Sequence, residues 1–248
     1  MARKKQSKKQ HGVPIRVVPM HPVKVAPASP RLTYRNGPLL TNVEVFTLFW
    51  GSGWQNSPLI QQINDFFSYI VSSALIDQLA EYSVAGKAIG HGKFIGTLTV
   101  SSPAPAKTVQ DSDLQTLIQQ QIKSGALPAA GPNTLYVVYT ETGVTVDQGG
   151  SASCQDFCGY HDSFGANIFY GVLPYPDCSG CTGGQDTFTA LTVTTSHELC
   201  EAITDPIPGD GWYDDANGEI GDICAWKTKT VGQYTVQQEW SNQANQCK

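Results

Sequence analysis

Six consecutive residues, Ser196-His197-Glu198-Leu199-Cys200-Glu201, carry the strongest chemical signal in the chain. On a helix, His197 and Glu201 stand four positions apart, so they project from one face one turn apart and converge on a single ion. Glu198, between them, points beside that ion. In His-Glu-x-x-His sites the first and last residues bind zinc and the intervening glutamate deprotonates the bound water. Here the last position is a carboxylate, which is an acceptable zinc ligand. It adds negative charge, reduces the Lewis acidity of the metal, and brings calcium and manganese into competition.

A catalytic zinc keeps three protein ligands and one open position. Candidates for the third ligand are Asp222, Glu219, Asp205 and His161. Glu219 and Asp222 follow Glu201 by 18 and 21 residues, a spacing that suits either, with Asp222 preferred and Glu219 as its replacement or as the partner that orients His197. Asp205 precedes a proline and is also explained as helix-end chemistry. His161 follows a Cys-Gly-Tyr turn and reads as ligand, substrate donor or hydrogen-bonded loop residue. His161 and Tyr213 are the candidates for oxyanion stabilisation, and Glu198 is the candidate general base.

Rival chemistries fit less well. Asp215, Asn217, Gly218 and Ile220 match the middle of an EF-hand loop, but its first and twelfth positions would be Tyr213 and Cys224, so the match fails at the ends. A looser calcium site from Asp210, Asp214, Asp215 and Asn217 stands beside the bland reading of a polar turn. Glu198 and Glu201 do not form a glycosidase pair, because residues three apart on a helix face one way rather than flanking a sugar. Cys200 faces away from His197 and reads as an unpaired, buried thiol.

The elements that must position these groups follow from hydrophobic periodicity. Residues 42–50 form a largely buried strand ended by Gly51-Ser52-Gly53. A helix capped by Ser57, with Pro58 in its first turn, runs on an apolar face from Leu59 to Ala74. A strand over 93–100, a helix capped by Asp111 or Asp113, and strands over 134–139 and 167–173 follow. The His197 helix is capped by Asp186 or Thr187 and stopped by Asp205-Pro206. Asn217-Gly218 predicts a tight hairpin. This succession resembles the upper half of the zincin metallopeptidases, which raises the prior for a zincin-like α+β fold: a twisted mixed sheet backed by helices.

The chain has 248 residues, 40% hydrophobic and 15% charged, enough to bury a real core. Its net charge of -5 argues against nucleic acid as the main partner. Five of its 16 basic residues fall within residues 3–9, so residues 1–37 read as a solvated tail and 38–248 as one domain with a C-terminal lobe from about residue 206. No stretch is apolar enough to span a bilayer, and no secretory signal is visible. Seven cysteines, at 154, 158, 178, 181, 200, 224 and 247, point to disulfide stapling, with reduced thiols or a second, structural zinc as the alternative.

Residues 43–54, Cys154-x3-Cys158-Gly159-Tyr160-His161, Cys178-Ser179-Gly180-Cys181, residues 219–224 and residues 240–247 together resemble the Exordium, or phosphate-induced, protein family over about residues 38–248. The resemblance implies an extracellular or cell-surface location and pairs Cys154 with Cys158, Cys178 with Cys181 and Cys224 with Cys247, leaving Cys200 odd. It also supplies a second functional expectation, a non-enzymatic surface protein with a structural calcium or zinc. The residues themselves favour a zinc-dependent metallopeptidase acting on a protein or peptide substrate.

Overall fold

The computed structural model describes residues 17–19, by their backbone alone, and 29–248. The fold is α+β with several sheets. Six strands form the main one: β1 (Val17–Pro19), β2 (Glu44–Trp50), β3 (Lys93–Val100), β4 (Thr134–Thr140), β5 (Phe157–Phe164) and β6 (Ile168–Leu173), in the order β1-β5-β6-β4-β2-β3. β6, β4, β2 and β3 run parallel to their neighbours, while β5 is antiparallel to β6 and β1 antiparallel to β5.

The period of two along a strand splits β2 between two cores. Val45 and Phe49 face one side, packing with α1 (Pro58–Ile70) and the helix that carries His197, here α3 (Thr187–Thr204). Phe46, Leu48 and Trp50 face the other side, which Leu114, Leu117 and Ile118 of α2 (Asp111–Ser124) cover. The sheet is therefore buried on both faces, as its near-continuous apolar strands require. Phe49 stacks on Tyr139 at 5.0 Å between ring centroids, joining β2 to β4 directly beneath α3.

Several expectations shift. The helix from Ser57 ends at Ile70, because Ser73 starts a second one, Ala74–Leu79, its hydroxyl accepting from Leu75 N at 3.2 Å. The cap of α2 is Gln110, and Asp113 returns the bond by accepting from Gln110 N at 2.8 Å. β5 occupies residues that read as a Gly/Cys/Asp-rich loop. Its Cys-Gly-Tyr-His core is buried on both sides, so it lacks the polar alternation that marks a half-exposed strand. Asn217-Gly218 makes a turn closed by Asp214 pairing with Gly218, but no two-strand hairpin grows from it. Instead Trp212–Tyr213 pairs with Thr33–Tyr34.

That pairing also moves the edge of the domain. Leu32 is buried in the main core, and β1 joins the sheet, so the solvated tail does not extend to residue 37; the basic run within residues 3–9 lies outside the described residues. The C-terminal segment is not a separate lobe. Ile220, Ile223, Val231, Val236 and Trp240 belong to the same core as α1 and α3. Among the described residues no helix is long and apolar enough to cross a membrane.

Three disulfides form: Cys154–Cys178, Cys158–Cys181 and Cys224–Cys247, with Cys200 free and buried. The last pair and the odd cysteine match expectation, while the first two pairs exchange partners. The start of β5 lies against the short helix Ser179–Thr182, so the four cysteines bridge between these two segments rather than within each. Their sulfurs are committed to disulfides, which removes the structural-zinc alternative. The Cys158–Cys181 bridge spans 23 residues, and loop-closure entropy values such a link at about 3 kcal/mol. Replacing both cysteines by alanine is expected to lower unfolding free energy by that order in urea titrations, and non-reducing peptide mapping to recover 154–178 and 158–181 links in place of 154–158.

Candidate metal centre

α3 is an unusual helix for its sequence. Asp186 caps it, accepting from Thr189 N at 3.0 Å, and every residue from Ala190 to Thr204 is buried although four of the first seven, Thr192, Thr194, Thr195 and Ser196, are polar. Burial is tolerable because the polar groups are partnered. Thr192 donates to Thr235 O at 2.8 Å, Thr195 meets the Tyr139 hydroxyl at 2.9 Å, and Ser196 Oγ accepts from Gln237 N at 2.9 Å. α3 thus lies between β5 on one side and the hairpin of β7 (Thr228–Val231) and β8 (Tyr234–Gln237) on another.

Three segments bring side chains to its middle. From α3 come His197, Glu198 and Glu201; from β5, His161; from the loop after Gly218, Glu219 and Asp222. All six are at most 3% exposed. His197 Nε2 lies 2.9 Å from Glu201 Oε1 yet makes no aligned hydrogen bond, which is how two ligands aimed at one ion stand to each other. Ligand atoms of His197, Glu201 and Asp222 lie within 4.8 Å of one another, and so do those of His161, Glu198 and Glu201. His161 Nδ1 meets Glu198 Oε2 at 3.0 Å and Glu201 Oε2 at 3.6 Å, while its Nε2 faces Asp205 O at 3.1 Å and Glu219 Oε1 at 3.5 Å. Gly221 packs against this group so closely that a Cβ there would stand 2.8 Å from His197 Nδ1 and 2.9 Å from Glu201 Oε1.

The electrostatics describe a centre short of positive charge. Glu198 Oε1, both oxygens of Glu219 and Asp222 Oδ1 have no hydrogen-bond partner. Burial, reinforced by the charge of Glu201, pushes Glu219 and Asp222 well above the usual carboxylate range, and burial raises Glu198 as well. Burial acts on Glu201 in the same sense, but His197 first and then His161 outweigh it and hold this carboxyl below its ordinary value. For the histidines burial opposes charge, yet Glu219 and Glu198 around His161, and Glu201 around His197, raise both well above the usual imidazole value. Protons therefore do, in the absence of a cation, what a cation would do better.

The other anticipated residues fall elsewhere. Asp205 closes the helix end: its carboxylate accepts from Gly209 N at 2.7 Å, from Asp210 N at 3.1 Å and from Gly211 N. The Tyr213 ring lies under the Arg35 guanidinium, 4.5 Å from ring centroid to Cζ. Asp214 accepts from Arg31, Ala216 and Asn217 N, and Asp215 pairs with Arg35, so these carboxylates serve a turn. Asp210 belongs to no metal-ligand grouping among the described residues, and the Asn217 side-chain amide donates to Asp214 Oδ1 at 3.0 Å.

Two buried groups escape sequence reasoning. Gln237, on β8, is the partner that sits on His197, in the place expected for Glu219, with its Nε2 2.7 Å from Nδ1 and 3.0 Å from Gly221 O. That amide orientation puts the ring proton on His197 Nε2, and presenting Nε2 to an ion requires the amide to turn so that its oxygen accepts from Nδ1–H. Glu239 has both oxygens unpartnered, and burial pushes it well above the carboxylate range beside Cys200, which burial likewise raises. Neither stands within a motif; only the strand alternation after Tyr234 places Gln237 on the side of Tyr-Thr-Val-Gln away from Val236.

No protein-family model and no curated protein matches the chain. Among solved structures it is similar to a chain described as "Structure of a chaperone-substrate complex", at 19% identity and a TM-score of 0.32, over 64% of this chain and 25% of that one. The chain thus spans a quarter of that protein's length, and a likeness this loose bears on neither fold nor function.

Two outcomes follow from the centre. Glu219, Asp222 and Glu239 have folded values above their unfolded ones, so their contribution is complete below the ordinary carboxylate range and is lost as pH rises through the raised values. The histidines add the same sign above about pH 6.5, and within the cluster Glu201 opposes it, its contribution being lost only as pH falls below the ordinary carboxylate range. In chelator, Tm is expected to fall by roughly 5 °C or more between pH 5 and pH 9, with zinc restoring it at the alkaline end. Gln237→Leu is expected to weaken zinc affinity about 10–100-fold in a chelator-competition titration while the fold persists by circular dichroism.

Proposed function

We propose that the chain is a zinc-dependent hydrolase of zincin-like construction, acting on a protein or peptide substrate outside the cell or at its surface. One observation carries this reading: ligand atoms of His197, Glu201 and Asp222 converge within 4.8 Å, with Glu198 of the intervening turn beside them. Three protein ligands leave a fourth position for water or a substrate carbonyl. When bound, zinc supplies Lewis acidity and brings the pKa of a bound water toward neutrality.

The rest falls to the protein. Glu198 is the group positioned to accept a proton and return it to the leaving amine, and its contact with His161 at 3.0 Å fixes which oxygen is free to do so. That free oxygen, Oε1, is one of the unpartnered buried atoms. Gln237 orients His197, and the backbone N–H of Asp222 donates to Glu201 Oε1 at 3.1 Å, steadying the carboxylate. Three disulfides support an oxidising compartment.

A specific observation favours a second reading. The ligand residues are enclosed, and the cavity that Glu198 lines with Phe67, Leu135, Val137 and Leu173 holds only about 10 Å³, no more than one water. A structural zinc or calcium ion in a disulfide-linked surface protein needs no substrate access.

Glu198→Gln separates the two. With Tm close to wild type and zinc retained at the seat of His197, Glu201 and Asp222, this variant is expected to lose at least about 100-fold in kcat on a quenched peptide library or an unfolded protein. Wild-type protein that holds zinc yet cleaves neither substrate would remove the hydrolase reading and leave the structural one.

A further inference from the structure

We propose that the centre holds two divalent cations, with Glu201 bridging them. The inference rests on the seat of the first ion at His197, Glu201 and Asp222, and it adds a second at His161, Glu198 and Glu201. The two triads are distinct groups that share one residue, Glu201. Glu201 presents a different oxygen to each: Oε1 is 2.9 Å from His197 Nε2, whereas Oε2 is 3.6 Å from His161 Nδ1. A carboxylate so placed joins two ions through its two oxygens.

His161 is prepared for the second ion. Its Nε2 faces the Asp205 carbonyl at 3.1 Å, an acceptor that holds a proton on Nε2, so the proton an ion displaces is the one on Nδ1, the nitrogen that faces Glu198 and Glu201. This is the arrangement in which a metal-ligating histidine donates its other N–H to a backbone carbonyl. Glu198 Oε1, buried and unpartnered, supplies a further free oxygen at the same seat.

Charge leads to the same count. Glu198, Glu201, Glu219 and Asp222, all buried, carry four negative charges when ionised. One divalent cation beside two neutral imidazoles leaves two of those charges uncompensated in a dry interior, and two cations leave none. The mixture of imidazole and carboxylate ligands suits zinc or manganese. With the second ion bound, Glu198 Oε2 becomes a ligand in place of the proton it shares with His161, and Oε1 stays free as the base.

The test is metal content of the full chain by mass spectrometry after saturation with zinc or manganese and dialysis, beside His161→Gln, His197→Gln and Glu201→Gln. Two ions per wild-type chain, one in each histidine variant and fewer than one in Glu201→Gln are expected. In the manganese form, electron paramagnetic resonance should show a spin-coupled signal in wild type and an isolated six-line signal in the histidine variants. One ion per wild-type chain overturns this proposal and leaves the single-zinc hydrolase standing; no ion overturns both. Two ions that persist in His161→Gln, or that show no coupling, overturn the placement and the bridge. The wild-type count and spectrum stand even where a variant fails to fold.

Discussion

Uncompensated negative charge inside the core is the constraint around which the rest of this molecule is arranged. Ionised carboxylates are expensive to remove from water, and here four of them meet at the middle of a helix with no solvent-facing side. Two imidazoles, the backbone N–H groups of Glu219 and Asp222, and a set of protons offset part of that cost. The unpartnered oxygens of Glu198, Glu219 and Asp222 mark the part that is not offset. A divalent cation held by these side chains would offset the imbalance at once.

The surrounding architecture serves that centre. β5 must approach α3 closely to deliver His161, and Gly159 permits it: a Cβ there would stand 2.8 Å from Thr194 Cγ2 and 3.3 Å from Glu198 Oε1. Gly221 does the same for the loop that brings Asp222. Both approaching segments are pinned covalently. Cys158, three residues before His161, is bridged to Cys181, and Cys224, two residues after Asp222, is bridged to Cys247. The disulfides therefore hold the two irregular sides of the site, while the parallel sheet and its two apolar layers hold α3.

Much of this was legible in the residues, for reasons that can be traced. Long apolar runs and helical periodicity located β2, β3, β4, β6 and all three principal helices, because each buries a regular face. His197, Glu198 and Glu201 were legible from spacing alone, since helix geometry forces their convergence. His161 stood out as a candidate, but its strand did not, because a strand buried on both faces within a Gly- and Cys-rich stretch lacks alternation. Gln237 and Glu239 were not legible, because they reach the site through tertiary packing of β8 and the segment after it. The first two disulfides follow adjacency of segments in the fold, and the pairs implied by the Exordium resemblance are not the ones formed. Asp205, Asp214 and Asp215 share the acidic composition of ligands, and only their backbone partners reveal them as turn-formers.

The central claim is that protons stand in for a cation in this cluster, and a calorimetric titration of zinc into the metal-free protein at pH 7, run in two buffers of different ionisation enthalpy, tests it most directly. Binding that releases protons to the buffer is the predicted result, because Glu219, Asp222 and the two histidines lie well above their ordinary values without the ion. Absence of zinc binding, or binding with no proton release, would contradict the account.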